Sequence, residues 1–374
     1  MTAILISGAS VAGTALAYWL REQGLTPVVV ERAPELRRGG QAVDVRGAAL
    51  TVLRRMGLEA GARELKNHSN GMSMLDPEGN EVFRSEEFAL SSGALDSEDI
   101  EILREDLVNL VHARNEGVEY LFGDSITAIH QEADGVAVEF ENAAARRFDL
   151  VIGADGLHSN TRKLTFGAES QFIHHLGTYL SVFSTENYLG LDRWQTWFND
   201  GTNLGGAAMT VRDNAELRIF LGFGSEPIDY DYRDVQAQKQ LVADHVTGFG
   251  WEVPEFLKRM WTAEDFYFDS MAQIKMDTWS AGRVSLVGDA AHCAAPLSGQ
   301  GTSLALVGAY VLAFELGRTE DHELAFARYE RRMRPFVEAN QPLALIDRQK
   351  VDPEESTARL DAVKNAIELD AIVD

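Results

Sequence analysis

The chain has 374 residues, 45% hydrophobic and 25% charged, an ordinary balance for a soluble globular protein with a large core and more than one domain. Its formal net charge of −24 argues against nucleic acid and against an anionic membrane surface, since both would repel it. A lone cysteine, Cys293, excludes an intrachain disulfide framework and fits a reducing cytoplasm, and no apolar run reaches the ~20 residues of a membrane helix.

Met1 to Ile6 lacks the basic start and cleavage site of a secretory signal. Within it, Ala3 to Ile6 is apolar without alternation, the pattern of a strand buried on both faces. Gly8-Ala9-Ser10-Val11-Ala12-Gly13 follows as a turn. Val11 to Gln23 then carries Ala15, Leu16, Trp19 and Leu20 at helical spacing, and Gly24 stands where a left-handed terminating residue is wanted. Thr26 to Val30 is a second β-rich run ending at Glu31. Together these predict a βαβ unit.

The turn fits the dinucleotide fingerprint, with Ser10 in place of the middle glycine. Gly8 permits the tight turn, and Gly13 lets helix and strand pack closely. Ser10 is small enough for backbone to approach a pyrophosphate, and its hydroxyl can donate to a phosphate oxygen. Glu31, about 20 residues on, is placed to accept ribose hydroxyls. Ala12 and Arg32 flank these positions and belong to the same expected site. The motif alone does not separate NAD from FAD.

Farther along, Phe148 to Ile152 leads into Gly153-Ala154-Asp155-Gly156, and Val284 to Val287 leads into Gly288-Asp289. Both runs are expected as core strands of one parallel sheet, each delivering an aspartate past its carboxyl end, where ligands bind in open α/β sheets. Between them, from about 171 to 280, the texture is strand-like. Gln195–Phe198, Gly206–Val211 and Glu216–Phe223 are separated by Asn199-Asp200-Gly201 and Arg212-Asp213-Asn214, which predicts antiparallel hairpins. A stretch from Met72 to Phe88, turning at Asp76 to Asn80, is expected to join them. Gly301 to Leu316 reads as a helix. The charged, helical tail after Thr319 has expected breaks at Pro335, Pro342 and Pro353.

Gly153 through Arg162 resembles the "DG" motif of the class A, single-component FAD-dependent aromatic monooxygenases. Gly288-Asp289-Ala290-Ala291-His292, with Pro296, Gly299, Gln300 and Gly301, resembles their "GD" motif. That family includes para-hydroxybenzoate hydroxylase, phenol hydroxylases, and polyketide-tailoring and tetracycline-modifying flavin monooxygenases. All three glycine-rich signatures stand in the family's order and spacing, and the resemblance is weakest in the middle and the tail.

The resemblance and the texture imply an α/β fold: a Rossmann-like FAD-binding domain (1–70, 98–170 and 281–316), an inserted β-sheet substrate domain (71–97 and 171–280) and a C-terminal helical segment (317–374). The implied cofactor is non-covalent FAD. NADPH or NADH would serve as co-substrate, docking in a surface groove because no second dinucleotide fingerprint exists. O2 would be activated as a flavin C4a-hydroperoxide, and one oxygen inserted into a small aromatic or polyketide-like molecule. The chemistry would be the flavin's, so no side chain is assigned as catalyst.

Asp155 and Asp289 are expected at the cofactor, with Asp289 on a ribityl hydroxyl. The N-terminus of the Gly301–Leu316 helix, including Thr302, would face the flavin pyrimidine ring. Arg104 resembles the family arginine on FAD, although a solvated helix charge is the alternative, and Arg46 is expected beside flavin or nicotinamide. Pro296 and Leu297, with Met209 and Phe220 from the middle strands, are expected to touch substrate. Of the other aromatics there (Tyr179, Phe183, Trp194, Trp197, Phe198, Phe223), only some can face a pocket, because alternate strand residues share a face. His292 is read as structural, Cys293 as no catalytic thiolate, and no metal-ligand spacing is present. Competing readings are a halogenase, for which the W-x-W-x-I-P run and a matching lysine are missing, a flavin-dependent reductase, and a non-catalytic flavin protein sheltering a pathway intermediate.

Overall fold

The computed structural model describes residues 2–91, 93–346 and 353–371. One sheet has six strands in the order Ser280–Ala281, Val284–Leu286, Leu150–Gly153, Ala3–Ser7, Thr26–Glu31, Glu119–Phe122. Every neighbouring pair is parallel except the short first one. The three apolar runs read from sequence therefore lie side by side, with Leu5 opposite Val151 and Val151 opposite Val284. At Phe148 the expectation and the fold part. Arg146–Phe148 belongs to a separate three-stranded antiparallel sheet with Ile126–Glu132 and Gly135–Phe140. Asp149 marks the step between the sheets, its carboxylate taking the Ala3 N–H at 2.6 Å.

Val11–Glu22 and Gly301–Leu316 pack together, and nearly every residue of the latter is buried, so it is apolar all round rather than amphipathic. Gly24 ends the first helix with φ +77°. Among the described residues no helix is long and apolar enough to cross a membrane.

The second large sheet has seven strands: Tyr267–Ile274, Ile173–Glu186, Glu216–Gly224, Leu204–Val211, Trp194–Asn199, Gly71–Leu75 and Glu81–Ser85. Both expected hairpins form, and Arg212, Asp213 and Asn214 all adopt the positive φ that such a turn demands. Gly71–Leu75 joins this sheet, parallel to Trp194–Asn199. Two helices the sequence reading did not separate from the strands, Val235–His245 and Val253–Thr262, cover one face. There Val242, Phe256 and Met260 share an apolar cluster with Phe183, Leu221 and Phe223. The opposite face is left open toward the parallel sheet.

Of the expected breaks in the tail, the one at Pro335 is absent: His322–Asn340 is one helix running through it. An interior proline costs a helix ~3 kcal/mol. Here Tyr329 and Met333 before it, with Phe336 and Val337 after it, are all buried, and that burial on both sides outweighs the cost. The helix does yield at Gln341–Leu345, which contains Pro342, and the final helix, Pro353–Val363, starts at Pro353. Positions 347–352 and 372–374 of the tail lie outside the described residues. The tail is tied to the core through Arg332, whose guanidinium pairs with buried Glu315 and donates to the Leu369 carbonyl at 2.8 Å.

Candidate active site

Between the two large sheets lies a cavity of about 1600 Å³. Small-molecule sites usually measure about 300–1,000 Å³, so this one has room for a dinucleotide and a second molecule together. One wall is made by the carboxyl ends of Ala3–Ser7 and Leu150–Gly153, the other by the open face of the seven-stranded sheet.

Gly8 turns the chain at φ +106°, and a Cβ there would sit 2.5 Å from the Ala154 carbonyl oxygen. Ser10 is the N-cap of Val11–Glu22 but makes no capping hydrogen bond with its side chain, so the helix end, with Ser10 and Ala12, opens into the cavity uncapped. A second uncapped helix end faces the same space. Gln300 gives no side-chain cap to Gly301–Leu316, and Gly301 and Thr302 are on the wall. The preceding turn, Pro296–Ser298 with Gly299 at φ +63°, presents Pro296 and Leu297 to the cavity, Leu297 being 40% exposed. Asp289 is exposed to the same space, and desolvation by the neighbouring protein pushes its carboxyl pKa up.

Pleating sorts the middle aromatics. Leu180, Val182, Phe220, Gly222, Met209 and Trp197 share the face toward the cavity, while Tyr179, Phe183 and Phe223 point into the helix-covered core. Phe198 packs in that same core, reaching the cavity at its edge, and Trp194 is buried with its indole N–H on the Ser73 hydroxyl at 3.0 Å.

Residues 1–342 match the family model described as "FAD binding domain". A flavin-dependent monooxygenase of Legionella longbeachae is 41% identical over 340 residues, covering 90% of this chain and 86% of that one. The chain belongs to the class A FAD-dependent monooxygenases. An uncharacterised protein of Mycobacterium tuberculosis is 52% identical over 344 residues, 91% of this chain and 92% of that one. The crystal structure of the tetracycline destructase Tet(51) superposes with a TM-score of 0.89 at 35% identity, each chain covered in full.

The wall suits the cofactor of this monooxygenase family. Two uncapped helix ends converge on one space, and both are anion sites by construction. Arg104, at the start of Arg104–His112, is 7% exposed and lines the cavity. It is therefore no solvated helix charge. Its guanidinium donates to the Arg37 and Gly39 carbonyls at 2.9 and 2.7 Å, its Nε has no partner, and burial followed by the charge of Arg37 lowers its pKa to about 10.

Glu31 and Arg32 line the wall too, but both Glu31 oxygens already accept backbone N–H groups, from Ala9 and Ala33 at 2.8 Å each. Asp155 is likewise engaged: it takes the Thr161 N–H at 2.9 Å and the hydroxyls of Ser7, Ser159 and Thr161, tying a strand end to the helix Asn160–Phe166. Three expected site residues are set back from the wall. Gly13 and Gly288 serve close packing, against Gly8 and Ala12 respectively. Arg46 is buried, with Asp44 at 2.9 Å and the Ser91 carbonyl at 2.9 Å, and reaches the cavity only through these two.

His292 is buried against Trp279 and Tyr329, and burial lowers its pKa to about 3, a structural role. Burial also pushes the Cys293 thiol well up, so no thiolate is poised there. Among the described residues no cluster of His, Cys, Asp or Glu could hold a metal ion.

Sequence reasoning missed His158 and Asp269 as individuals. The His158 ring contacts Glu169 at 2.8 Å and Asp269 at 3.0 Å and stacks on Tyr232. Burial opposes its charge, but those two carboxylates outweigh it and hold the pKa up at about 10. An acid in a strand next to two aromatics, Tyr267-Phe268-Asp269, was the available signal.

Proposed function

We propose that this monooxygenase uses NADPH or NADH and O2 to place one oxygen atom on a sizeable aromatic or polyketide-like molecule. The observation that carries the reading is a single cavity running from two uncapped helix ends to an apolar, pleat-selected sheet face. In this reading Gly8, Ser10 and Ala12 hold the FAD diphosphate, Glu31 and Arg32 the adenosine ribose, and Asp289 a ribityl hydroxyl. Arg104 would offer its unpartnered Nε to the cofactor, and Gly301 and Thr302 at the helix N-terminus would meet its pyrimidine ring. Gly13, Gly288 and Arg46 hold this frame in shape from behind, and Asp155 ties it together at the wall. Bound FAD would supply the redox and oxygen chemistry. The chain's own residues orient the substrate and exclude water.

Substrate would lie between the Pro296–Leu297 turn and Phe220, Met209 and Trp197. The likeness to a tetracycline destructase at 35% identity supports a fused-ring molecule there. The division into cofactor segments (1–70, 98–170, 281–316) and substrate segments (71–97, 171–280) follows the same line, one wall of the cavity from each. A lone buried thiol is in keeping with the cytoplasm. Monooxygenase relatives give no support to the halogenase, reductase or sheltering-protein alternatives.

The test is a screen of phenols, anthraquinones and tetracyclines with NADPH and with NADH, following nicotinamide oxidation and product mass together. Substrate-stimulated oxidation with gain of one oxygen is expected. Turnover confined to small aliphatic acids or amines would sink the reading.

A further inference from the structure

Asp44 and Glu101 stand directly opposite each other on the antiparallel strands Ala42–Val45 and Ile100–Leu103. Two carboxyls so placed repel, which a fold without use for them would avoid. Their surroundings set them apart. Asp44 pairs with the Arg46 guanidinium at 2.9 Å. Glu101, 4% exposed, has neutral donors: the Ser91 hydroxyl at 2.6 Å and the Asn67 side-chain amide at 2.9 Å. Burial, and then the charge of Asp44, raise its pKa above the usual carboxylate range, while Asn67, Ser91 and Arg46 pull the other way. Environments that separate a pair in this manner mark one member as the proton carrier.

Position supplies the rest. Ser91 lines the main cavity. Glu101 lines a second one of about 80 Å³, large enough for a few waters, whose rim includes Asn67 and the exposed His68. Asp44 is in the wall of both. Donor directions are fixed as well. The Trp197 indole N–H donates to Gln195 Oε1 at 3.0 Å, which turns the Gln195 amide so that its Nε2 donates to Ser91 Oγ at 2.6 Å. A serine hydroxyl has one proton and two lone pairs. Its proton is directed to Glu101, one lone pair takes Gln195, and the other is left for a group in the cavity.

We propose that Ser91 and Glu101 form a proton relay which deprotonates a substrate hydroxyl, phenolic or enolic, and delivers the proton to the second cavity. The substrate O–H bond breaks as its proton bonds to Ser91 Oγ. The Ser91 proton moves to Glu101 Oε2, and Glu101 then releases a proton to water, which restores its carboxylate. Nothing is oxidised or reduced. The product is a phenolate or enolate, whose ring carbons are richer in electrons and better acceptors of an electrophilic oxygen. Other charges face Glu101 from Arg46 and Asp44 on the partner strand, from Asp99 on its own segment with Lys364 at 3.2 Å, and from Lys66 and His68 on the rim. The inference rests on the proposed substrate site and adds the handle its substrate must carry.

The experiment uses the FAD-loaded enzyme with two readouts. Without substrate, infrared spectra against pH should show a carboxylic C=O band that titrates above the usual carboxylate range and is lost in Glu101→Gln. With the hydroxylated substrate turned over fastest in the screen, kcat should rise with pH along that same titration, because a protonated Glu101 blocks the relay. Glu101→Gln should remove the rise and lower kcat by on the order of a hundredfold, with KM and FAD content unchanged. Ser91→Ala should lower kcat alike while keeping the band, and Glu101→Asp should restore part of the rate. Wild-type kcat and pH profile in Glu101→Gln, or a band indifferent to that change, overturns the relay. Absence of turnover with every hydroxylated aromatic overturns the substrate reading and the relay with it, whereas the band reports on the carboxyl independently.

Discussion

Asp289 is one carboxyl among 58 acidic residues, yet it alone follows the strand Val284–Leu286 into the cavity, exposed on its wall. A hydrogen bond to a charged group contributes about 1.5–3 kcal/mol, so Asp289→Ala should weaken FAD binding to the apoprotein roughly 10- to 100-fold in a fluorescence titration. Asp213→Ala, in an exposed turn, should leave it alone. Equal losses would remove Asp289 from the cofactor. Residues like these were readable because spacing from a glycine turn fixes where a carboxylate arrives. Spacing does not tell which donors converge on it. Both Asp155 and Glu31 therefore prove to be engaged by their own backbone and hydroxyl neighbours. The Asp44–Glu101 pair was not readable at all, since it exists only through the pairing of two strands distant in sequence.

At the scale of elements, strand–turn–helix units were legible where backbone geometry dictates the residue. Gly8 and Gly24 both have positive φ, but they differ in what surrounds them. A Cβ on Gly8 meets the Ala154 carbonyl at 2.5 Å, and one on Gly24 meets nothing within 4 Å. Gly24→Ala should therefore cost only the left-handed strain, about 1–2 kcal/mol, with FAD affinity intact. Gly8→Ala should cost more, and should lower FAD occupancy because the uncapped helix end is pushed off the strand it packs on. Thermal unfolding with and without FAD separates the two, and equal behaviour would show that the close approach is unimportant. Val235–His245 and Val253–Thr262 escaped notice because turn-rich segments surround them, although Val253, Phe256 and Met260 already lie at helical spacing. Pro335 misled for the opposite reason: the local rule was right about cost and blind to the buried contacts on either side.

Across the whole molecule, the cavity lies between two separately built sheets, so its shape depends on what holds them together. His158 comes from the turn after Leu150–Gly153 in the parallel sheet, and Asp269 from Tyr267–Ile274 at the edge of the seven-stranded one. Their contact at 3.0 Å bridges the two. Asp269 also receives the Tyr230 and Tyr267 hydroxyls at 3.3 and 3.2 Å, and Glu169, on the other side of the ring, is shared with Arg162 at 2.8 Å. With its folded pKa raised from 6.5 to about 10, His158 contributes stability that is complete below about pH 6.5 and is lost as pH rises through about 10. Loss of its proton leaves Asp269 facing two phenols and no cation at that ring. The wild type should thus lose about 1–3 kcal/mol between pH 7 and 10.5 in denaturant titrations. His158→Gln, already lacking the charge, should start lower and lose less over that interval. Self-repulsion from a net charge of −24 also grows in alkali, which is why the difference between the two proteins, not either slope, is the quantity to compare. Parallel slopes would mean that the sheets are held together without the imidazolium.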